Sequence, residues 1–134
     1  MAAGHLEQGQ AGEDVAVQLL KKLGFRILER NWRCRGGEVD VICLDRDVVV
    51  FVEVRTRGAQ CRSTPAQSVN RAKINKLARA ASLFLSQRDW WERSCRFDVV
   101  AVVHTAQGHR LEHIPNAFPF PQTVGRGRNP WQPW

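Results

Sequence analysis

The stretch GGEVDVICLDRDVVVFVEVRTR, residues 36–57, decides how this chain folds. Two apolar runs, 38–44 and 48–55, flank the polar link Asp45-Arg46-Asp47, which is the pattern of an antiparallel hairpin. Side chains alternate faces along a strand. Glu38, Asp40 and Ile42 therefore share one face of the first run, and Val49, Phe51, Glu53 and Arg55 share one face of the second. If Arg46 and Asp47 form a two-residue turn, Asp45 pairs with Val48 and Asp40 lies directly opposite Glu53. A slip of two keeps the acids diagonal neighbours, whereas a loop of odd length separates them to opposite faces. Two carboxylates facing each other among Val, Phe and Ile repel, and burial adds to the cost of their charge. A shared proton, a nearby cation or a metal ion has to offset this. Mg2+ or Mn2+ suits such an all-oxygen site, and Arg55, two residues along, offers donors to a phosphate.

Outward from the hairpin, the N-terminal side reads as a helix from about Gln8 to Leu23, then a short strand from Phe25 to Arg33. Val15, Leu19 and Leu23 form the helix's apolar stripe, widened by Ala16 and Leu20, and Gly24 supplies the stop. Glu13 shares a face with Ala16, Val17 and Leu20. Either it points along this largely apolar side, unusual for a solvated helix acid, or it lies in the first turn, where the helix dipole favours a carboxylate. On the other side, Arg57 to Pro65 is a polar loop and about Ala66 to Arg88 a second helix with Arg71, Lys73, Lys76 and Arg79 on its N-terminal half. Such a basic run is most often a solvated face, but it also suits a phosphate-binding surface. RFDVVAVV, 96–103, reads as a central strand parallel to 48–55, and a last strand runs near Arg110 to Ile114. Past Phe118 a Pro-, Gly- and Trp-containing tail, 119–134, reads as extended or disordered. The predicted order is α-β-β-β-α-β around a mixed sheet.

The chain's 134 residues form one domain plus that tail, enough to bury about two-thirds of the surface of the unfolded chain without a staple. A formal charge of +7 favours polyanions. Cys34, Cys43, Cys61 and Cys95 are too irregularly spaced for a zinc site, and His104, His109 and His113 show no ligand spacing and read as surface or strand-end residues. With neither a secretory leader nor a membrane span, the expected setting is a soluble, cytoplasmic protein with reduced thiols. Asp98 interrupts an apolar strand and is expected to partner a basic side chain such as Arg96 or Arg57. Trp90-Trp91 is expected to close the second helix against the sheet, with base stacking as the alternative.

Asp40, twelve residues, then Glu53-x-Arg55 resembles the PD-(D/E)XK signature of the restriction-endonuclease-like superfamily. GEDVAVQLLKKLGF with Arg30-Asn31, GGEVDVI, FVEVRTR, the Lys73 helix, RFDVV and HIPNAF are more closely similar to the YraN family of uncharacterised bacterial proteins, over nearly the whole chain up to Phe118. The resemblance implies a three-layer nuclease core. Its metal ligands are Asp40 and Glu53, joined by the Val54 carbonyl, and Glu13 from the first helix completes the site. Arg55, Arg57, Gln67 and Lys73 are the implied substrate contacts. The implied chemistry is Mg2+- or Mn2+-dependent hydrolysis of DNA, branched or single-stranded. Resolvase-like relatives of this fold work as two-fold dimers, so a homodimer is among the forms implied. Arg55 departs from the usual lysine, and arginine cannot shed its proton to act as a base. The alternatives are therefore a non-catalytic nucleic-acid-binding module on the nuclease fold, or an adaptor whose tail binds a partner.

Overall fold

A computed structural model describes residues 2–60, 64–65 and 67–120, with side chains from residue 11 onward. The elements run α1 (Ala2–Lys22), β1 (Arg26–Cys34), β2 (Gly37–Asp45), β3 (Val48–Gly58), α2 (Arg71–Arg88), β4 (Cys95–Thr105) and β5 (Gly108–Phe118). The strands form one sheet in the order β1-β2-β3-β4-β5, antiparallel throughout except for the parallel pair β3–β4. Strand β3 reaches its parallel partner through α2, as such a crossover requires.

The hairpin register is the one the two-residue turn demands. Asp45 pairs with Val48, and the ladder continues through Leu44–Val49, Cys43–Val50 and Ile42–Phe51 to Val41–Val52. The apolar strands divide their side chains between two cores. Val41, Cys43, Val50, Val52 and Val100 pack with Ala16, Val17 and Leu20 of α1. Ile42, Val49, Phe51, Phe97 and Val99 pack with Leu77, Ala81, Phe84 and Leu85 of α2. The result is a three-layer α/β structure with the sheet between its two helices.

Several boundaries differ from the sequence expectation. Helix α1 starts at Ala2 rather than near Gln8, so Glu13 is mid-helix and the first-turn dipole account of it falls. Leu23 is 49% exposed, outside the apolar stripe, which ends at Leu20. Helix α2 starts at Arg71, not Ala66. Asn70 caps it by accepting the Lys73 N–H at 2.9 Å, and an Asn cap outcompetes the helical pattern upstream of it. Strand β5 extends beyond 110–114, through Pro115 and past Asn116 in the left-handed region.

Those last residues close a buried charge network. Asp98 is fully buried on the α1 side of β4. Its carboxylate accepts Arg96 Nε at 2.9 Å and Nη2 at 3.3 Å, and the backbone N–H of Asn116 at 2.9 Å. His113 Nε2 lies 2.7 Å from the same carboxylate. Arg96 reaches on to Asp45 at 3.1 Å and lies over the Phe25 ring. Arg96 is thus the partner expected for Asp98, but His113 is a half-buried member of the network and not a surface residue. It ties RFDVV to HIPNAF across the β4–β5 pair.

Trp90 packs edge-on against Phe84 at 6.0 Å and lies under Arg93, closing the C-terminal end of α2 against the sheet. Cys34, Cys43 and Cys95 are free thiols, and burial pushes those of Cys43 and Cys95 up to about 12. Cys61 and residues 121–134 of the tail lie outside the described residues; at the tail's start, Phe120 stacks on Phe97 at 4.4 Å. No described helix is long and apolar enough to cross a membrane.

Asp98→Ala leaves Arg96 and the Asn116 N–H without their shared buried acceptor. It is expected to lower unfolding stability by about 3–5 kcal/mol in urea denaturation; a loss under about 1 kcal/mol counts against the network as a structural lock.

Candidate functional site

The β2–β3 ladder ends at Val41–Val52, one position before Asp40 and Glu53 would meet as a pair. Beyond it, an Asp40 carboxylate oxygen accepts the Val54 N–H at 2.8 Å, so a side chain takes up the backbone donor where the strands part. Strict alternation lapses here too: Val39 packs with the α2 core although Val41 packs with the α1 core. The expected placement of Glu38, Asp40 and Ile42 along one face therefore does not run unbroken.

The two acids nevertheless lie close enough for the charge of one to act on the other. Glu53 is only 4% exposed. Burial, and then the charge of Asp40, push its carboxyl up to about 7, against the pull of Lys73 and Arg55. Burial also raises Asp40, with the Val54 N–H, Lys73 and Arg55 pulling the other way. Two cations approach the same Glu53 oxygen: Lys73 Nζ and Arg55 Nη1 each lie 3.7 Å from Oε1. The second oxygen, Oε2, is buried without a hydrogen-bond partner among the described residues.

Helix α1 adds a third acid. Gly12 lets α1 approach β3 closely, since a Cβ there would lie 2.9 Å from Thr56 Oγ1. The next residue, Glu13, is raised by its own burial and then by the charge of Asp40, while Arg30 and a hydrogen bond from Asn31 lower it. Its Oε1 is buried, with Arg30 Nη2 at 3.7 Å as its nearest cation. Of the two readings of Glu13, an acid along the apolar side of α1 is the one that matches its mid-helix placement and burial. Glu38 turns elsewhere and pairs with Arg33 at 3.3 Å.

Among the implied substrate contacts, the structure brings Arg55 and Lys73 onto Glu53, and it separates Gln67. That residue precedes α2 and exchanges hydrogen bonds with Thr64: the Gln67 N–H donates to Thr64 Oγ1 at 3.1 Å, and the Thr64 N–H to Gln67 Oε1 at 3.0 Å. Arg57 lines a small cavity of about 160 Å³ with Arg55, Thr56 and Ser68. Ser68 is the residue sequence reasoning missed. Its Oγ accepts Arg55 Nε at 3.2 Å and its carbonyl accepts Arg55 Nη2 at 3.2 Å, which fixes the guanidinium beside Glu53. The available signal was Thr64-x-x-Gln67, a capping-box spacing that marks a local turn before the true cap, Asn70.

Among the described residues, no group of three or more His, Cys, Asp or Glu side chains forms a ready-made metal cage. The donor set is two carboxylates with one buried oxygen unpartnered. That fits a hard cation such as Mg2+, which is commonly held by one or two carboxylates and keeps several waters.

A family model described as Uncharacterised protein family UPF0102 matches residues 12–102. The chain belongs to UPF0102. This is the YraN family of the sequence resemblance. A UPF0102 protein of Nitratidesulfovibrio vulgaris (strain DP4) is 46% identical over 94% of each chain. One from Lawsonia intracellularis is 39% identical over 96% of this chain and 97% of its own, and one from Ectopseudomonas mendocina is 46% identical over 87% and 98%. The span matched by the UPF0102 model contains Glu13, Asp40, Glu53, Arg55 and Lys73.

The raised Glu53 carboxyl carries a stability signature. A group whose folded pKa lies above its unfolded one stabilises the fold below the unfolded value, near 4.5, and loses that contribution as pH rises through about 7. Relative to wild type, Glu53→Gln should therefore gain on the order of 3 kcal/mol between pH 4 and pH 8 in metal-free denaturant titrations. A difference that does not change with pH contradicts a desolvated Glu53.

Proposed function

We propose that this protein is a metal-dependent nuclease of the restriction-endonuclease-like class, hydrolysing phosphodiester bonds in DNA at branched or single-stranded regions. The observation that carries this reading is the pairing of the half-buried Asp40 with the buried Glu53, which the fold holds together although the Asp40 charge raises Glu53 and Glu53 Oε2 has no donor among the described residues. An arrangement that is costly to the empty protein makes sense if a cation offsets it. Mg2+ or Mn2+ held by Asp40 and Glu53 would lower the pKa of a bound water and neutralise charge developing on the phosphate. The Val54 carbonyl lies on the strand beside them and is the third ligand we assign.

The chain's own cations do the remaining work. Arg55 cannot act as a base, but Ser68 holds its planar guanidinium by two bonds, which suits it to clamp a phosphate. Lys73 presents an amine from the first turn of α2, aimed at the same Glu53 oxygen. We assign to it the part played by the lysine of the PD-(D/E)XK signature: it orients the attacking water and offsets the negative charge of the transition state. Arginine at position 55 is then a division of labour, with the clamp on β3 and the amine on α2. Glu13, on the far side of Asp40, holds water or a second-sphere donor in place.

Magnesium or manganese should raise the melting temperature of the wild type, and Asp40→Asn should abolish the shift. The wild type should nick junction or single-stranded DNA in a magnesium-dependent way. Lys73→Ala should lower that rate by about 10²-fold or more while keeping the metal-induced shift. Inactive wild type rescued by Arg55→Lys would favour the non-catalytic binding module instead.

A further inference from the structure

A groove opens beside these acids, between the β1–β2 turn and the N-terminal half of α2. It encloses about 540 Å³, and its walls include Arg33, Gly36, Gly37, Glu38, Lys73 and Lys76. We propose that this groove is a track for the sugar–phosphate backbone of one nucleic-acid strand, leading it to Asp40 and Glu53 without regard to base sequence. The inference rests on the nuclease reading above and names the surface and the mode of recognition.

Continuity is the first argument. Lys73 belongs to both places: it lines the groove, and its Nζ lies 3.7 Å from Glu53 Oε1. Lys76 follows three residues later on the same helical face, so two ammonium groups lead from the acids along α2. Lys76 is exposed and has no carboxylate partner among the described residues.

The second argument is the shape of the floor. Gly37 presses against the α2 backbone so closely that a Cβ would lie 2.5 Å from the Lys76 carbonyl oxygen. Gly36 takes a positive φ of 91° in the turn beside it. The paired glycines therefore turn the chain and put no side chain into the groove, which stays open between cationic walls.

The third argument is what the walls lack. Among the described residues no aromatic ring lines the groove, and Trp32, two residues before Cys34 of its wall, is spent against Phe84 in the core. Without a stacking platform, recognition falls to the phosphates, and phosphate contacts carry no sequence information. The single acid of the groove, Glu38, engages Arg33 at 3.3 Å in an exposed pair, with 76% and 45% of the two side chains accessible. Such pairs are weak, so an arriving phosphate displaces Glu38 and takes Arg33 for itself.

The test compares the full-length wild type, Arg33→Ala/Lys76→Ala and Glu53→Gln. Each is titrated with fluorescent single-stranded and junction DNA of two unrelated sequences over a range of salt, and assayed for cleavage. The groove variant should bind both sequences at least tenfold more weakly, with the salt slope reduced by about 1–2. It should keep its melting temperature and its magnesium-induced shift. Lys76→Ala alone should show about half the loss in slope. Unchanged affinity and slope in the double variant, or a loss confined to one sequence, overturns the track while leaving the nuclease reading intact. Groove-dependent binding by a wild type that never cleaves overturns the nuclease reading and keeps the groove as a binding surface. A wild type that binds no DNA overturns both.

Discussion

The repulsion between Asp40 and Glu53 is the constraint on which the rest of this site depends. A buried carboxylate is tolerated only when donors or cations surround it, and here they come from two elements, β3 and α2. The Val54 N–H of β3 and the Lys73 amine of α2 serve Asp40, while Arg55 and Lys73 converge on one oxygen of Glu53. Even so, burial dominates, and both carboxyls end above their usual range. The compensation is incomplete: among the described residues Glu53 Oε2 is left without a donor. A structure that only needed stability would place valine at these positions, as it does at Val41 and Val52 one step down the ladder.

The contrast with Asp98 makes the point from the same molecule. That carboxylate is fully buried, more so than Asp40 or Glu53, yet each of its oxygens is occupied, by Arg96, by the Asn116 N–H and by His113. It is a satisfied structural anchor. Glu53, on the same sheet, keeps one oxygen without a donor among the described residues, and with Asp40 it lies beside an open cationic groove. Burial alone does not separate a functional acid from a structural one; the accounting of its donors does.

Much of this was legible in the sequence because the hairpin is local. With Arg46-Asp47 as a two-residue turn, the register from Asp45–Val48 to Val41–Val52 follows, and with it the approach of Asp40 to Glu53. The parallel β4 and the Arg96–Asp98 pair follow from the apolar run 96–103 and its single acid. What the sequence did not disclose depends on tertiary approach or on backbone irregularity. Lys73 was recognisable as basic, but its convergence on Glu53 arises from where the crossover sets α2 down. Ser68 and Gln67 were absorbed into a helix that Asn70 delays to Arg71. His113 was read as surface because its partner lies on another strand, across a register shift between Phe97 and Val99. The lapse in alternation at Asp40 has no periodic signature at all.

On the proposed nuclease reading, the division between Arg55 and Lys73 also accounts for arginine at the lysine position of the PD-(D/E)XK signature. Arginine at position 55 removes an amine from the strand, and the helix returns one to within 3.7 Å of the same oxygen. The claim beneath all of this is that Asp40 and Glu53 together hold a divalent cation. A crystal soaked in manganese, with data collected for anomalous scattering, tests it most directly. The account predicts one anomalous peak within coordinating distance of both carboxylates, absent from Asp40→Asn. No peak there, with Lys73 closed onto a protonated Glu53, would contradict it.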